Sequence, residues 1–337
     1  MRYEKVTLGG LAYELAPNVV SSAALEQRVA PLYDALHFST GQLEALTGIR
    51  ERRWWDAGFK LTEGAARAGK KALAKSGVSA GALGALIYAG VCRDGSEPAT
   101  ACAVAAQLGV SRDCAVYDLS NACLGVLSGI VDVANRIELG QIRAGLIVSC
   151  ESAREINESM IASMLAKPTM EHFKLSIATL TGGSGAVAVL LTDGSLGASG
   201  PRLLGGATQS APEHWDLCRW DRDFMRTDAS AVLKSGVELA RGTWKKFIDE
   251  LGWNAASVDK TVCHQVGGPH RAAVLGAFGV PLEKDFATYE YLGNIGTVSL
   301  PLTAALADER GFLNKGDKVG FLGIGSGLNC LMLGWEW

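Results

Sequence analysis

The stretch YDLSNACLGVLSGI, residues 117–130, closes an apolar run, carries one cysteine and continues through small and apolar residues. With the residues before it, "CAVYDL" reads as a buried strand. It feeds a long helix from about Asn121 to Leu139 that Gly140 stops. A strand running straight into a helix is the repeating unit of layered α/β folds. The same reading puts Cys123 in the first turn of the helix. There, unpaired N–H groups and the helix dipole favour a thiolate, and thiol pKa values can fall from about 8.5 toward 3.5–7.5. Against this stands the ordinary fate of a free cysteine, which is a buried core thiol.

Outward from this stretch the alternation continues. "TEGAARAGKKALAKSG" predicts a helix capped by Thr62 and closed by Gly77. "GALIYAG" predicts a short buried strand, and "EPATACAVAAQLG" a helix with Pro98 in its first turn. "RAGLIVSCE" and "GAVAVLLTD" are continuous apolar runs, as expected of strands covered on both faces. The second half repeats the plan. The helix "DASAVLKSGVELARGTWKKFIDELG" precedes the strand "KTVCHQ", the helix "GGPHRAAVLGAFG" and a helix beginning near "GTVSLPLTAALADERG". The strands "DKVGFLGIGSG" and "NCLMLGWEW" then match the pair "RAGLIVSCE … GAVAVLLTD" in order. This implies an internal duplication of one α/β unit, with halves at 1–195 and 196–337. An insertion at about 153–182 carries Met160, Met164 and Phe173, which suit a wall against a flexible apolar ligand or a solvated helix pair equally.

Composition narrows the function classes. The 337 residues are 48% hydrophobic and 20% charged, with a formal net charge of −3. That balance gives no electrostatic case for nucleic acid or an anionic membrane surface. Glu4 and Lys5 interrupt the start where a signal peptide needs its apolar stretch, and no apolar run approaches the roughly 18–20 residues of a membrane span. The eight cysteines contain no CxxC pair and sit in apolar segments, as reduced core thiols do. A cytoplasmic enzyme or binding protein is expected.

The remaining chemistry-bearing residues are ambiguous one by one. His264 follows a strand, and His270 lies six residues on, a spacing that does not put two ligands on one helical face. No metal is expected. Asn294 stands in the glycine-flanked turn "YLGNIGTVS", where asparagine is common for conformational reasons alone. "GIGSGLNC" (323–330) lacks the lysine of a P-loop and leads into a strand. Its glycines would instead let backbone N–H groups approach a reacting oxygen. There is no Gly-x-Ser-x-Gly elbow, which argues against an α/β-hydrolase.

Taken together, "LTGIRERRWW", "DLSNACLG", "HQVGGPH", "GNIG" and "GIGSGLNC" resemble, in order and approximate spacing, the condensing enzymes of the thiolase superfamily. The resemblance runs nearly end to end. It implies a duplicated thiolase fold with five αβαβα layers, a homodimer, and no cofactor beyond an acyl-CoA substrate. It assigns Cys123 as the acylated nucleophile, and His264 and Asn294 as the pair holding the second thioester's oxygen. The backbone N–H groups of Cys123 and Ser326 become an oxyanion hole. Met160, Met164 and Phe173 would line an acyl channel.

Two branches of the superfamily compete. β-Ketoacyl-ACP synthase III joins acyl-CoA to malonyl-ACP, which would make acyl carrier protein a partner. Its histidine motif usually reads HQAN and a tryptophan usually precedes "TGIRERR"; this chain has His264-Gln265-Val266-Gly267 and no such tryptophan. "RRWWD", "CRDGSEPAT", "HQVGGPH" and "GIGSGLNC" look more like the OleA branch, which condenses two long-chain acyl-CoAs head to head, toward long-chain olefins or β-lactones. Two simple acyl-CoAs lose no CO₂, so a base must make the enolate. The resemblance gives that role to Glu97, reaching across the dimer. A non-catalytic acyl-binding subunit of a heterodimer is the reading of a different class, and the joint presence of Cys123, His264 and Asn294 argues against it.

Overall fold

The computed structural model describes every residue except Ser199 and Arg222. In the first half the strands are β1 (Thr7–Leu15), β2 (Asn18–Ser21), β3 (Glu51–Trp54), β4 (Ala85–Ala89), β5 (Ala115–Leu119), β6 (Ala144–Glu151) and β7 (Gly185–Thr192). The second half contributes β8 (Arg202–Ser210), β9 (Cys218–Trp220), β10 (Met225–Thr227), β11 (Lys260–Cys263), β12 (Lys318–Gly325) and β13 (Asn329–Glu336). Nine of these form one sheet in the order β11-β12-β13-β8-β1-β7-β6-β4-β5. Its two sides meet at a single β1–β8 pair, Thr7 opposite Arg202.

The pairing repeats on each side of that seam. β1 and β8 run antiparallel to β7 and β13, which run antiparallel to β6 and β12. These in turn lie parallel to β4 and β11. Only the first half adds a further strand, β5, parallel to β4.

The helices in chain order are α1 (Ser22–Arg28), α2 (Ala30–Ala35), α3 (Gln42–Thr47), α4 (Leu61–Ser76), α5 (Thr100–Leu108) and α6 (Gly125–Glu138). They continue with α7 (Arg154–Ala166), α8 (Met170–Ser176), α9 (Ala229–Leu251), α10 (Gly268–Phe278), α11 (Tyr289–Leu292) and α12 (Ser299–Glu309). Alternation along the strands sorts them into layers. From β6, Leu146, Val148 and Cys150 pack with α4 and α5, while Ile147 faces the centre. From β13, Cys330 and Met332 meet Trp244, Phe247, Leu275 and Phe278 of α9 and α10, while Leu331, Leu333 and Trp335 face the centre. Between the two sheet halves lie α6 and α12, and α12 is buried without a break from Ser299 to Ala307. A helix apolar all round belongs in such an interior layer. The result is the expected αβαβα order.

Several local boundaries differ from the sequence reading. α4 starts at Leu61, not after a Thr62 cap; Asp94 accepts hydrogen bonds from the N–H groups of both Leu61 (2.9 Å) and Thr62 (3.0 Å). α5 starts two residues past Pro98, where Asp118 accepts from Thr100 (2.9 Å) and Ala101 (2.8 Å). The expected single helix from Asn121 is a 3₁₀ turn, Ala122–Leu124, followed by α6. The insertion forms α7, α8 and a 3₁₀ turn, and packs on α1–α3 through Leu25, Val29, Leu32, Tyr33 and Leu43. No helix among the described residues is long and apolar enough to cross a membrane.

Candidate active site

Cys123 sits where β5 hands over to α6, and Ala122 before it has φ +44°. A non-glycine residue in that region is strained, and such strain collects at functional turns. The sulfur faces a cavity of about 390 Å³ whose wall includes Glu151, Ser326, Asn294, Ile156, Trp220 and Met225. The end of β12 comes close beneath it: a Cβ on Gly325 would lie 3.4 Å from the Cys123 nitrogen. The backbone N–H groups of Cys123 and Ser326 pull the thiol's pKa down. The two residues expected to form an oxyanion hole line the same cavity.

The thiol itself departs from expectation. Burial pushes Cys123 up to about 12, helped by the nearby Cys218 thiol and Glu151 carboxylate; the two amides pull only partly the other way. At the helix start the dipole is outweighed by desolvation, so the resting group is a thiol.

Asn294 lines the same cavity. Its N–H donates to Thr181 O (2.9 Å), its carbonyl accepts from Gly183 N–H (2.8 Å), and its Oδ1 accepts from Gly296 N–H (3.0 Å). With Oδ1 engaged by its own turn, the Nδ2 group is the side chain's remaining donor. The next turn holds the helix that follows Cys123, because Thr297 Oγ1 accepts from Val126 N–H at 2.7 Å.

His264 is buried at the end of β11, where its N–H donates to Leu322 O (3.0 Å). It is not part of the cavity wall around Cys123. Burial, then His270, pushes it down to about 3, so the ring is neutral at physiological pH. The neighbouring Gln265 ties this strand to the asparagine loop, its Oε1 accepting from Thr288 (2.8 Å) and Tyr289 (3.1 Å) at the start of α11.

Glu97 lies outside its own chain's cavity. It is exposed just before α5 and makes no hydrogen bond or ion pair among the described residues. The expected channel residues lie behind the wall. Met164 and Phe173 are packed with Tyr33 and Leu43, and Met160 Sδ accepts from the N–H of Met225 (3.4 Å), which is itself in the wall. The insertion reaches the wall through other residues, Ala153, Ile156, Ala178 and Thr179 among them, and the β9–β10 hairpin, to which the sequence reading gave no role, supplies Cys218, Arg219, Trp220 and Met225.

Glu151 was also missed. It ends β6, is buried in the cavity wall, and accepts from Val91 and Cys92 N–H groups at 2.9 Å each. Burial raises its pKa against the pull of those donors. The available signal was a carboxylate closing the otherwise uncharged run "GLIVSCE".

The chain is 59% identical to the acyl-CoA:acyl-CoA alkyltransferase of Shewanella oneidensis, over the whole of both chains. A second protein of that name, from Xanthomonas campestris pv. campestris, is 38% identical, again over the whole of both. The chain belongs to the acyl-CoA:acyl-CoA alkyltransferase family. Residues 55–202 match the thiolase N-terminal domain, and residues 248–337 match the C-terminal domain of 3-oxoacyl-[acyl-carrier-protein] synthase III. A crystal structure of Xanthomonas campestris OleA with bound lauric acid and lauroyl-CoA superposes with a TM-score of 0.96 at 37% identity, covering 99% of this chain and all of that one. Other solved forms of that protein alter one cysteine, one glutamate and one histidine. The likeness to β-ketoacyl-[acyl-carrier-protein] synthase III is distant, at 27% identity for the Bacillus pumilus protein.

Proposed function

We propose that this protein joins two long-chain acyl-CoA molecules by a non-decarboxylative Claisen condensation. The observation that carries the reading is its end-to-end likeness to enzymes named for acyl-CoA:acyl-CoA alkyl transfer. The site geometry supports it. The Cys123 thiol attacks the first thioester as its proton departs, and CoA leaves as its thiol, so no net proton stays on the enzyme. The oxyanion is held by the Cys123 and Ser326 amides. A second acyl-CoA then loses an α-proton to Glu97, and its enolate oxygen is held by His264 and the Asn294 amide. The carbanion attacks the acyl-Cys123 carbonyl, and the sulfur leaves and regains the proton from Glu97. The product is a 2-alkyl-3-ketoacyl-CoA, and no cofactor beyond the substrate enters the scheme.

Glu97 serves the partner subunit's site of a homodimer in this reading. Two features support it. Glu97 is exposed and unpaired, and β5, the strand that leads to Cys123, lies at a free edge of the sheet. Pairing two β5 edges about a two-fold axis would bring each 91–99 loop beside the other chain's nucleophile. All eight cysteines are unpaired, which supports a reducing cytoplasmic setting.

The test separates acylation from condensation. Wild type given lauroyl-CoA alone should form an acyl adduct and the condensed product. Cys123→Ala should lose the adduct. Glu97→Gln should keep the adduct and lose about 10²–10⁴-fold in condensation. Strict dependence of the wild type on malonyl-ACP would overturn the reading in favour of a decarboxylating synthase. Near wild-type condensation by Glu97→Gln would remove the base.

A further inference from the structure

His270 has no part in the scheme above, yet it sits beside His264 in an unusual setting. The Nδ1 atoms of both histidines are buried and have no hydrogen-bond partner. Both rings line one small pocket of about 10 Å³, whose other walls include Cys263, Cys330, Val274, Phe278, Leu322 and Ile324. Neutral imidazole carries one donor and one acceptor, and a buried polar nitrogen without a partner costs about 1–3 kcal/mol. Two such rings at one pocket share a single remedy. A buried water needs roughly 10–15 Å³ and at least two polar partners, and this void meets both conditions. A metal ion does not fit, because among the described residues no three His, Cys, Asp or Glu side chains are grouped to hold one.

We propose that His270 is a positioning residue for His264, acting through one ordered water that bridges their Nδ1 atoms. The inference rests on the reading of His264 as the group that holds the enolate oxygen. To donate to that oxygen, neutral His264 must carry its proton on Nε2 and leave Nδ1 as an acceptor. The bridging water presents an O–H to His264 Nδ1 whichever tautomer His270 adopts. In the Nε2–H tautomer this bond satisfies Nδ1 and holds the ring angle. Burial keeps both rings neutral, at about 3 for His264 and about 4 for His270, so neither leaves this arrangement by protonation near neutral pH.

His270→Leu removes the polar partner, whereas His270→Gln supplies a neutral one of similar reach. With lauroyl-CoA, His270→Leu should acylate Cys123 at the wild-type rate and lose about 10–100-fold in condensation, the range seen when an outer partner of a functional histidine is removed. His270→Gln should recover most of that loss. A purely structural role would instead move both variants, and both half-reactions, together with melting temperature. Equal losses in the two variants, or wild-type condensation by His270→Leu, would overturn the proposal. His264→Ala is the control: if it condenses normally, the role given to His264 has failed rather than the link to His270. A high-resolution crystal structure of the wild type supplies the second measurement. It should show a water within hydrogen-bond distance of both Nδ1 atoms, and a dry void would also overturn the proposal.

Discussion

Burial holds the Cys123 thiol at about 12, so at neutral pH the sulfur attacks only as its proton leaves. Part of that elevation comes from the Glu151 carboxylate, which disfavours a second negative charge nearby. Its retention beside the nucleophile makes physical sense through its other contacts, the N–H groups of Val91 and Cys92 that begin the loop carrying Glu97. Glu151→Gln should therefore do two opposite things. Removing the charge lowers the Cys123 pKa, so the pH midpoint of iodoacetamide alkylation should shift downward. Turning an amide NH₂ toward one of two N–H donors leaves that donor unpaired, at a cost of about 1–3 kcal/mol in urea unfolding. An unmoved alkylation midpoint would show that the carboxylate exerts no field on the sulfur. Cys123 was legible in the sequence because small residues and a strand-to-helix handover surround it. Its protonation state was not, because a sequence displays a helix start and its dipole but not the desolvation that outweighs them.

Elements were legible where a strand is an unbroken apolar run, as in β4, β6, β7, β12 and β13. They were missed where glycine makes room for a neighbour. In β1, a Cβ on Gly10 would stand 2.8 Å from Ala72 O of α4; in β8, one on Gly206 would stand 2.2 Å from Met332 O. No element was expected in "TLGGLAYEL" or "RLLGGATQS", whose glycines mark close packing in strands. Helix starts were misplaced for a related reason: the carboxylates that cap α4 and α5 come from distant sequence. Asp118 does double duty, since it also pairs with Arg93 at 3.3 Å. Asp94 and Asp118 together fasten the loop between β4 and α5, on which Glu97 stands. Asp118→Ala should cost about 0.5–2 kcal/mol as a lost cap. By loosening the loop it should also slow condensation while leaving acylation of Cys123 near the wild-type rate. Equal slowing of both half-reactions would mean that the substitution disturbs the nucleophile's own strand, β5, rather than the base.

At the scale of the whole molecule, the repeated halves place the candidate site residues on different parts of one chain. The first half supplies Cys123 at the end of β5, and the second supplies His264, Asn294 and Ser326 from β11, the turn after α11 and the end of β12. Fold closure between the halves, through the central α6–α12 layer, brings Cys123, Asn294 and Ser326 to one cavity, while His264 lies outside its wall. Glu97 remains outside, exposed beside the free β5 edge. Sequence spacing could not reveal this, because a separation of 26 positions from Cys123 does not fix on which side of it a residue lies. Mixed dimers resolve the point. Co-expressing Cys123→Ala and Glu97→Ala chains with different affinity tags allows the hybrid to be isolated. In the hybrid, one site lacks its sulfur, but the other has its own Cys123 and faces the intact Glu97 of the neighbouring chain. If Glu97 acts across the interface, that site is complete. Random assembly should then restore about a quarter of wild-type condensation to the mixture, and roughly half to the purified hybrid. If Glu97 acts within its own chain, neither site of the hybrid holds both groups. The hybrid would acylate through the subunit that keeps Cys123 and would yield no condensed product, which would exclude action in trans.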